Sequence, residues 1–441
     1  MKKAVGILLI LLCCINQRVE AANQPSAASI IHHEIYVSPT GDDKNLGTKS
    51  KPFRTLRRAS EVAQPGTTVY IRGGIYYEQL IISRSGTKQE PIIFRNYKSE
   101  KPLISGKKIK SRSTDGGLVS IKNKSYITIQ GLDIGHFSTS KEQNTPCGIL
   151  VEGSGKNLRI INNHIFDIRT AHKNGNAHGI AFYGSKAPRS LQNIEISRNL
   201  LENLTLGFSE ALTLNGNVKD FMVNANTIRN VNNIGIDVIG FEKVAPIEKY
   251  DQAREGLISE NHIYNVSSYS NPAYKHEYSA SGIYVDGGKD VIIEHNVSSH
   301  NDLGIEIASE HYGKQTSNVQ VIRNMIYKNR FTGILIGGYD KKRGGTINTL
   351  IEHNILYGND TMNMDGGQLL MQYYATHNTI NNNVMVSVKS NLLLANLHYS
   401  NKYNQLNHNV YLNKSRDTAN RWIWKGQEIE SPTIISPRLF L

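Results

Sequence analysis

Glu306 sits between Ile305 and Ile307 in the stretch GIEIASEH, Gly304 to His311. An alternating strand puts this carboxylate on the face opposite the two isoleucines. Glu310 and His311 follow at the strand's end. Two earlier stretches share the build: IGIDVIG (234–240) carries Asp237, and SGIYVDG (281–287) carries Tyr284 and Asp286. Paired carboxylates cleave glycosidic bonds when one, protonated, assists the leaving oxygen and the other, ionised, activates water or attacks. Crowding like charges is how a protein separates their pKa values. Asp237, Asp286 and Glu306 are therefore the candidate catalytic residues. Tyr284, Glu310, His311 and, one repeat later, Asp340 are candidates for substrate binding. The same oxygens are the kind that hold Ca2+; no other cofactor is indicated.

These residues belong to a repeat. Segments of a small residue and alternating aliphatics recur as CGILVEG (147–153), HGIAFYG (178–184), EALTLNG (210–216), IGIDVIG, SGIYVDG, LGIEIAS (303–309), TGILIGG (332–338) and GQLLMQY (367–373). Each is followed by an apolar strand ending in Asn. The Asn column is Asn163, Asn199, Asn226, Asn261, Asn296, Asn324, Asn354, Asn383 and Asn409, at spacings of 26 to 36 residues. Short strands punctuated by Gly and Asn at that period predict an all-β chain, a single-stranded right-handed parallel β-helix. The Asn residues are expected to stack at a tight turn, each amide pairing with backbone and with the Asn above and below. The His residues beside several of them are expected to be exposed neighbours of that turn.

In such a solenoid coils stack about 4.8 Å apart, and residues two apart on a strand lie about 6.6 Å apart. Asp286 then stands about 8 Å at the backbone from both Asp237 and Glu306. The outward positions predicted on successive coils are Thr213 and Asn215, Asp237 and Ile239, Tyr284 and Asp286, Glu306 and Ala308, Leu335 and Gly337. Acids concentrate on three of them. Between Ile239 and Gly282 the chain inserts extra residues that carry Tyr250, Tyr269, Tyr274 and Tyr278. Long loops on a rigid scaffold tend to carry function, and a tyrosine offers a sugar a flat face and a hydroxyl. Tyr274 and Tyr278 join the substrate-binding candidates. Lys289, Lys314, Lys341, Lys342 and Arg343 are basic residues flanking the acids.

The first residues read as a leader: Lys2 and Lys3, an apolar run, and small residues that allow cleavage after Ala21. Export to the periplasm or the extracellular space is the expectation. No later segment reaches the ~18 apolar residues of a membrane span. Without the leader, 47 basic residues face 36 acidic ones, a balance of +11, and only Cys147 remains, which excludes an internal disulfide. A basic exported chain points to an anionic polysaccharide. The cations are scattered and no nucleic-acid-binding signature accompanies them, which argues against nucleic acid. No membrane partner and a monomer are expected. The organisation predicted is a leader (1–21), an N-terminal strand and capping helix (22–66, the helix over 53–63), coils carrying catalysis (67–412), and a C-terminal cap or tail (413–441) in which both tryptophans, in RWIWKG, cover the open end.

The opening IYVSPTGDDKNLGTKSKPFRTLRRASEVAQPGTTVYIRGGIYYE resembles that of the right-handed parallel β-helix proteins of the pectate-lyase-like superfamily, which includes exported polysaccharide lyases and β-helical glycosidases. The resemblance implies the fold and action on polysaccharide. The calcium-binding aspartates and lysine base of the lyases have no matching cluster here. Three functions stay open: a glycoside hydrolase acting through the carboxylates, the leading one; a polysaccharide lyase using β-elimination with Ca2+, for which Tyr284 is the only base in register; and a non-enzymatic glycan-binding β-helix.

Overall fold

The computed structural model describes residues 34–109, 116–414 and 419–429; the expected leader, 1–21, lies outside them. The described chain winds through three parallel sheets. Each coil contributes one strand to a sheet we call C, one to sheet A and one to sheet B, as in Pro146–Glu152, Gly155–Ile161 and His164–Thr170. The period-2 aliphatics meet in register. Ile149, Ile180, Leu212, Ile236, Ile283, Ile305, Ile334 and Leu369 form one inward column of sheet C. All eight are fully buried in one continuous core. Stacking like on like buries the apolar face that no single coil could bury alone.

The corner between sheets A and B is set by the Asn column. The residue before each Asn is left-handed, from Asn162 (φ 55°) to His408 (φ 53°). His295 and His353 occupy that position too, exposed as expected. The conformation costs a non-glycine residue about 1–2 kcal/mol. The Asn that follows over-determines it. Asn324 N–H donates to Asn354 Oδ1 (2.9 Å), its Nδ2 to Ile293 O (2.8 Å), and its Oδ1 accepts from Asn296 N–H (2.9 Å). The same bonding joins Asn163 through to Asn409 without a gap. A second ladder, not read from the sequence, holds the corner that leads into sheet C: Asn301, Asn329, Asn359 and Gln368.

Both ends run beyond 67–412. Strand Glu34–Val37 already pairs with Thr68–Ile71. The helix is shorter than 53–63, at Leu56–Val62, because Thr55 caps it by accepting from Arg58 N–H (3.1 Å) while Phe53 bridges back to Val37. Its buried Leu56 and Ala59 join the first coils' core. At the other end Arg421–Trp424 adds a parallel strand to Leu392–Asn396, and Gln427–Ile429 returns antiparallel. Trp422 is buried in the core against Tyr411, as a cap requires. Among the described residues no helix is long and apolar enough to cross a membrane.

Candidate active site

The acids stand on sheet C, on the face opposite the aliphatic columns. Thr213, Asp237, Tyr284, Glu306 and Leu335 are direct neighbours on five successive strands, and Asp286 pairs with Ala308. The register read from alternation is therefore the register present. The exposure is not that of a free strand face. Asp237, Tyr284, Asp286 and Glu306 are all buried, at 3 to 8% of their accessible area. Loops cover this face. Asp251 folds the first by accepting from Lys243 N–H (2.5 Å) and Ala245 N–H (2.8 Å). Asn271 ties the second to the preceding coils by donating to Gly207 O (2.7 Å) and Asn232 O (2.9 Å).

A cleft of about 470 Å³ remains open beside the second loop, and Tyr274, Tyr278, Tyr284, Glu306 and Glu310 line it with Phe208 and Phe331. Tyr274 is held by Asn233 Nδ2 (3.0 Å), and Tyr278 stacks on Tyr269 (4.7 Å). The other four candidates lie outside the lining. Asp237 sits beside Tyr284 in register, and Asp286 Oδ1 accepts from Glu310 N–H (2.8 Å). His311 pairs with the exposed Glu242 (2.9 Å), and Asp340 with Arg343 (3.8 Å). Among the described residues no Lys or Arg lines the cleft. Lys314 is engaged by Glu248, and Arg343 by Glu310 and Asp340.

Burial first, then Glu210 and Asp286, drives Asp237 well above the usual carboxylate range. Its Oδ1 is buried with no hydrogen-bond partner among the described residues, an environment that favours the protonated carboxyl. Burial and the charge of Glu310 also drive Asp286 up, opposed by the N–H bond from Glu310. Burial raises Glu306 to about 7, against the bond that Ser281 Oγ donates to its Oε2 (2.5 Å). Burial raises Glu310 as well, with Arg343 opposing.

Glu210 is the site residue that the alternation misses. It precedes strand Leu212–Gly216, outside the period-2 pattern, yet it is buried, its charge raises Asp237, and burial raises it in turn to about 7. Thr213 Oγ1 donates to Glu210 Oε2 (2.7 Å) and meets His178 Nδ1 (3.0 Å), whose Nε2 meets the Tyr183 hydroxyl (3.0 Å). Burial pushes His178 down to about 4, so its 3.7 Å approach to Glu210 is a dipolar contact with a neutral ring rather than an ion pair. With Thr213 donating to Glu210, His178 carries its proton on Nδ1 and accepts from Tyr183. Thr213 is thus part of the acid cluster rather than a neutral position beyond it.

The proton affinities dictate a pH response. Between about 4.5 and about 7 folded Glu306 and Glu210 keep protons that the unfolded chain releases. Stability therefore falls as pH rises through that window and stays lower above it. For Glu306 the loss is about 3 kcal/mol. His178, lowered by burial to about 4, opposes this slope below its ordinary 6.5, but it is one group against the two acids. The chain is expected to melt at a higher temperature at pH 5 than at pH 8, with the difference reduced in Glu306→Gln and Glu210→Gln. Equal melting temperatures for the parent chain would contradict this assignment of protons.

Among the described residues no three His, Cys, Asp or Glu side chains converge where they could hold a metal ion. Ca2+ takes roughly six to eight oxygens, several of them ionised. The acids here are strung along strands and held toward their protonated forms, so the donor set does not fit it.

A family model described as "Pel9A-like, right handed beta helix region" matches residues 35–204. The match ends ahead of Glu210 and of every acid in the cleft. Uncharacterized protein YwoF of Bacillus subtilis (strain 168) is 50% identical over 397 residues, 90% of this chain and 84% of that protein. Pectate lyase PEL9 of Emericella nidulans is 26% identical over 170 residues, 36% of this chain and 42% of that enzyme. Among solved structures the GH136 lacto-N-biosidase from Eubacterium ramulus has the same fold, with a TM-score of 0.59 at 16% identity, over 86% of this chain and 67% of that one. Half of its residues shared with YwoF over nine-tenths of its length, and coils of the Pel9A type at its start, make the chain a member of the YwoF family, within the right-handed parallel β-helix proteins of the pectate-lyase-like superfamily.

Proposed function

We propose that the chain is an exported glycoside hydrolase that cleaves a polysaccharide in the cleft over sheet C. The observation that carries this reading is the group of carboxylates on neighbouring coils, with Glu306 at the cleft wall and its proton affinity near neutrality. Glu306 serves as the general acid. Its proton passes to the leaving oxygen as the bond from that oxygen to the anomeric carbon breaks. Asp286 is assigned as the base: the bond from the Glu310 N–H favours its ionised form, against burial and the charge of Glu310. Once ionised it takes a proton from water while the water oxygen bonds to the same carbon. Asp237, one coil before Asp286 and two before Glu306, is disfavoured in its charged form, which limits the negative charge the group must carry. The backbone offset of about 8 Å between Asp286 and Glu306, with side-chain reach, falls in the range of carboxylate pairs in glycosidases. Tyr274 and Tyr278 offer ring faces to the sugars.

β-Elimination needs a base for the proton beside a uronate carboxylate. Tyr284 serves this poorly, since burial and the charges of Asp286 and Glu306 hold its hydroxyl well above its ordinary value. No Lys or Arg in the lining offers another base. Incubation with a panel of neutral and acidic polysaccharides is expected to release new reducing ends with no ultraviolet-absorbing unsaturated product, and a chelator is expected to leave the rate unchanged. Unsaturated product, or loss of activity with chelator restored by Ca2+, would replace the hydrolase with a lyase. Binding with neither product would make the protein a glycan binder.

A further inference from the structure

The excess positive charge of the chain is absent from the cleft lining, and much of it gathers on another sheet. On sheet A the first outward position of successive coils is occupied by Lys156, Gln192, Lys219, Arg254 and Lys289, each in direct register with the next. Four of five are cations, one coil apart, so the row extends about 19 Å along the solenoid. Beside it the turn 184–191 adds Lys186 and Arg189, both exposed and with no ion-pair partner among the described residues. Lys156, Lys186, Arg189, Lys219 and Arg254 line a groove of about 680 Å³, with Tyr250 at its wall and no carboxylate in its lining. Glu255, half-exposed beside it, meets Lys219 at 3.3 Å and Arg254 at 3.7 Å, and leaves Lys156, Lys186 and Arg189 with no ion-pair partner among the described residues.

We propose that this groove is a second binding site, for an anionic polysaccharide, independent of the cleft and of the reaction assigned there. Cations repeating at the coil spacing match an extended polymer that carries one acidic group per sugar or per few sugars. Tyr250, the wall of the groove, presents a ring to a sugar face, with Lys249 Nζ 5.0 Å from its centroid. Apart from Pro188 the lining has no aliphatic side chain, so nothing there enters a lipid surface. The groove has a single aromatic ring, where single-stranded nucleic acid is held by rings stacked on successive bases. A cleft of carboxylates and a groove of cations let one protein grip a charged part of a polymer away from the point of cleavage.

The test measures the affinity of the full chain for polygalacturonate, dextran sulfate and uncharged dextran at low and high salt. The triple variant K156Q/R189Q/K219Q leaves Arg254, which is partly buried and bonded to Asn217 and Gln252, in place. A reference variant, K51Q/K328Q/K402Q, removes the same charge at exposed positions away from both the groove and the cleft. The groove variant is expected to bind the anionic polymers about tenfold or more weakly. It should show a flatter salt dependence and an unchanged melting temperature, and the reference variant should bind like the parent. Loss for polygalacturonate alone assigns uronate, and loss for both polymers assigns any polyanionic glycan. Equal loss in the two variants, no loss in either, or parent binding to single-stranded DNA but to neither glycan would overturn the proposal.

Discussion

Glu306→Gln is expected to lower the rate of reducing-end release by about 10²–10⁴-fold, the scale for removing a general acid. The amide keeps the volume and can still accept from Ser281 Oγ, but it has no proton to deliver. Two further readouts separate this from a packing defect. The melting temperature at pH 8 should rise, since the variant removes a carboxyl that burial disfavours in its ionised form. The fall of kcat/KM as pH rises through about 7 should disappear with the acid that causes it. Asp286→Asn is expected to cost a similar factor. Glu310→Gln and His311→Asn, at the rim, should cost less. Thr213→Ala cannot serve as an inert control, because Thr213 holds Glu210; Lys122→Gln, on an exposed part of sheet C, can. Full activity in both Glu306→Gln and Asp286→Asn would remove these acids from the mechanism.

Asn324→Leu is the substitution expected to hurt the fold most for its size. Leucine has similar volume, so little packing changes. It strands the N–H of Asn296, which bonded to the Asn324 amide oxygen, and the carbonyl of Ile293, which accepted from the amide nitrogen. Each orphaned buried group costs about 1–3 kcal/mol. The left-handed Arg323 beside it (φ 54°) loses the bonds that hold it. A loss of roughly 3 kcal/mol is expected in denaturant melts, with the damage centred on the coils next to it, where amide exchange should accelerate. The exposed His353→Ala, at the same corner, is the comparison; a loss as small as that variant's would mean that the ladder is decorative.

The coils were legible because inward aliphatics and corner Asn residues repeat with little variation, and each repeat must satisfy the same backbone groups. The acids Asp237, Asp286 and Glu306 were legible for a related reason: alternation on a strand is a strict period, so a carboxylate between two isoleucines declares its face. Glu210 was not. It enters from the residue ahead of its strand, where no period applies. The second ladder escaped because its last member is Gln368, which reaches its neighbour with a longer side chain and from a different spacing. The burial of the site also had no local signal. It depends on loops held by individual residues such as Asp251 and Asn271, which no repeat announces.

The position of the acids on separate, registered coils has a consequence for how such a site changes over time. Their separations come in fixed increments, one coil or one residue pair, about 4.8 Å and 6.6 Å. A substitution can move a carboxylate from one lattice point to another, yet it cannot slide it by a fraction. A relative that needs a different spacing between acid and base must relocate a residue by a whole step or lose a whole coil. Its chemistry then changes in jumps, while its loops remain free to vary the sugar that is held.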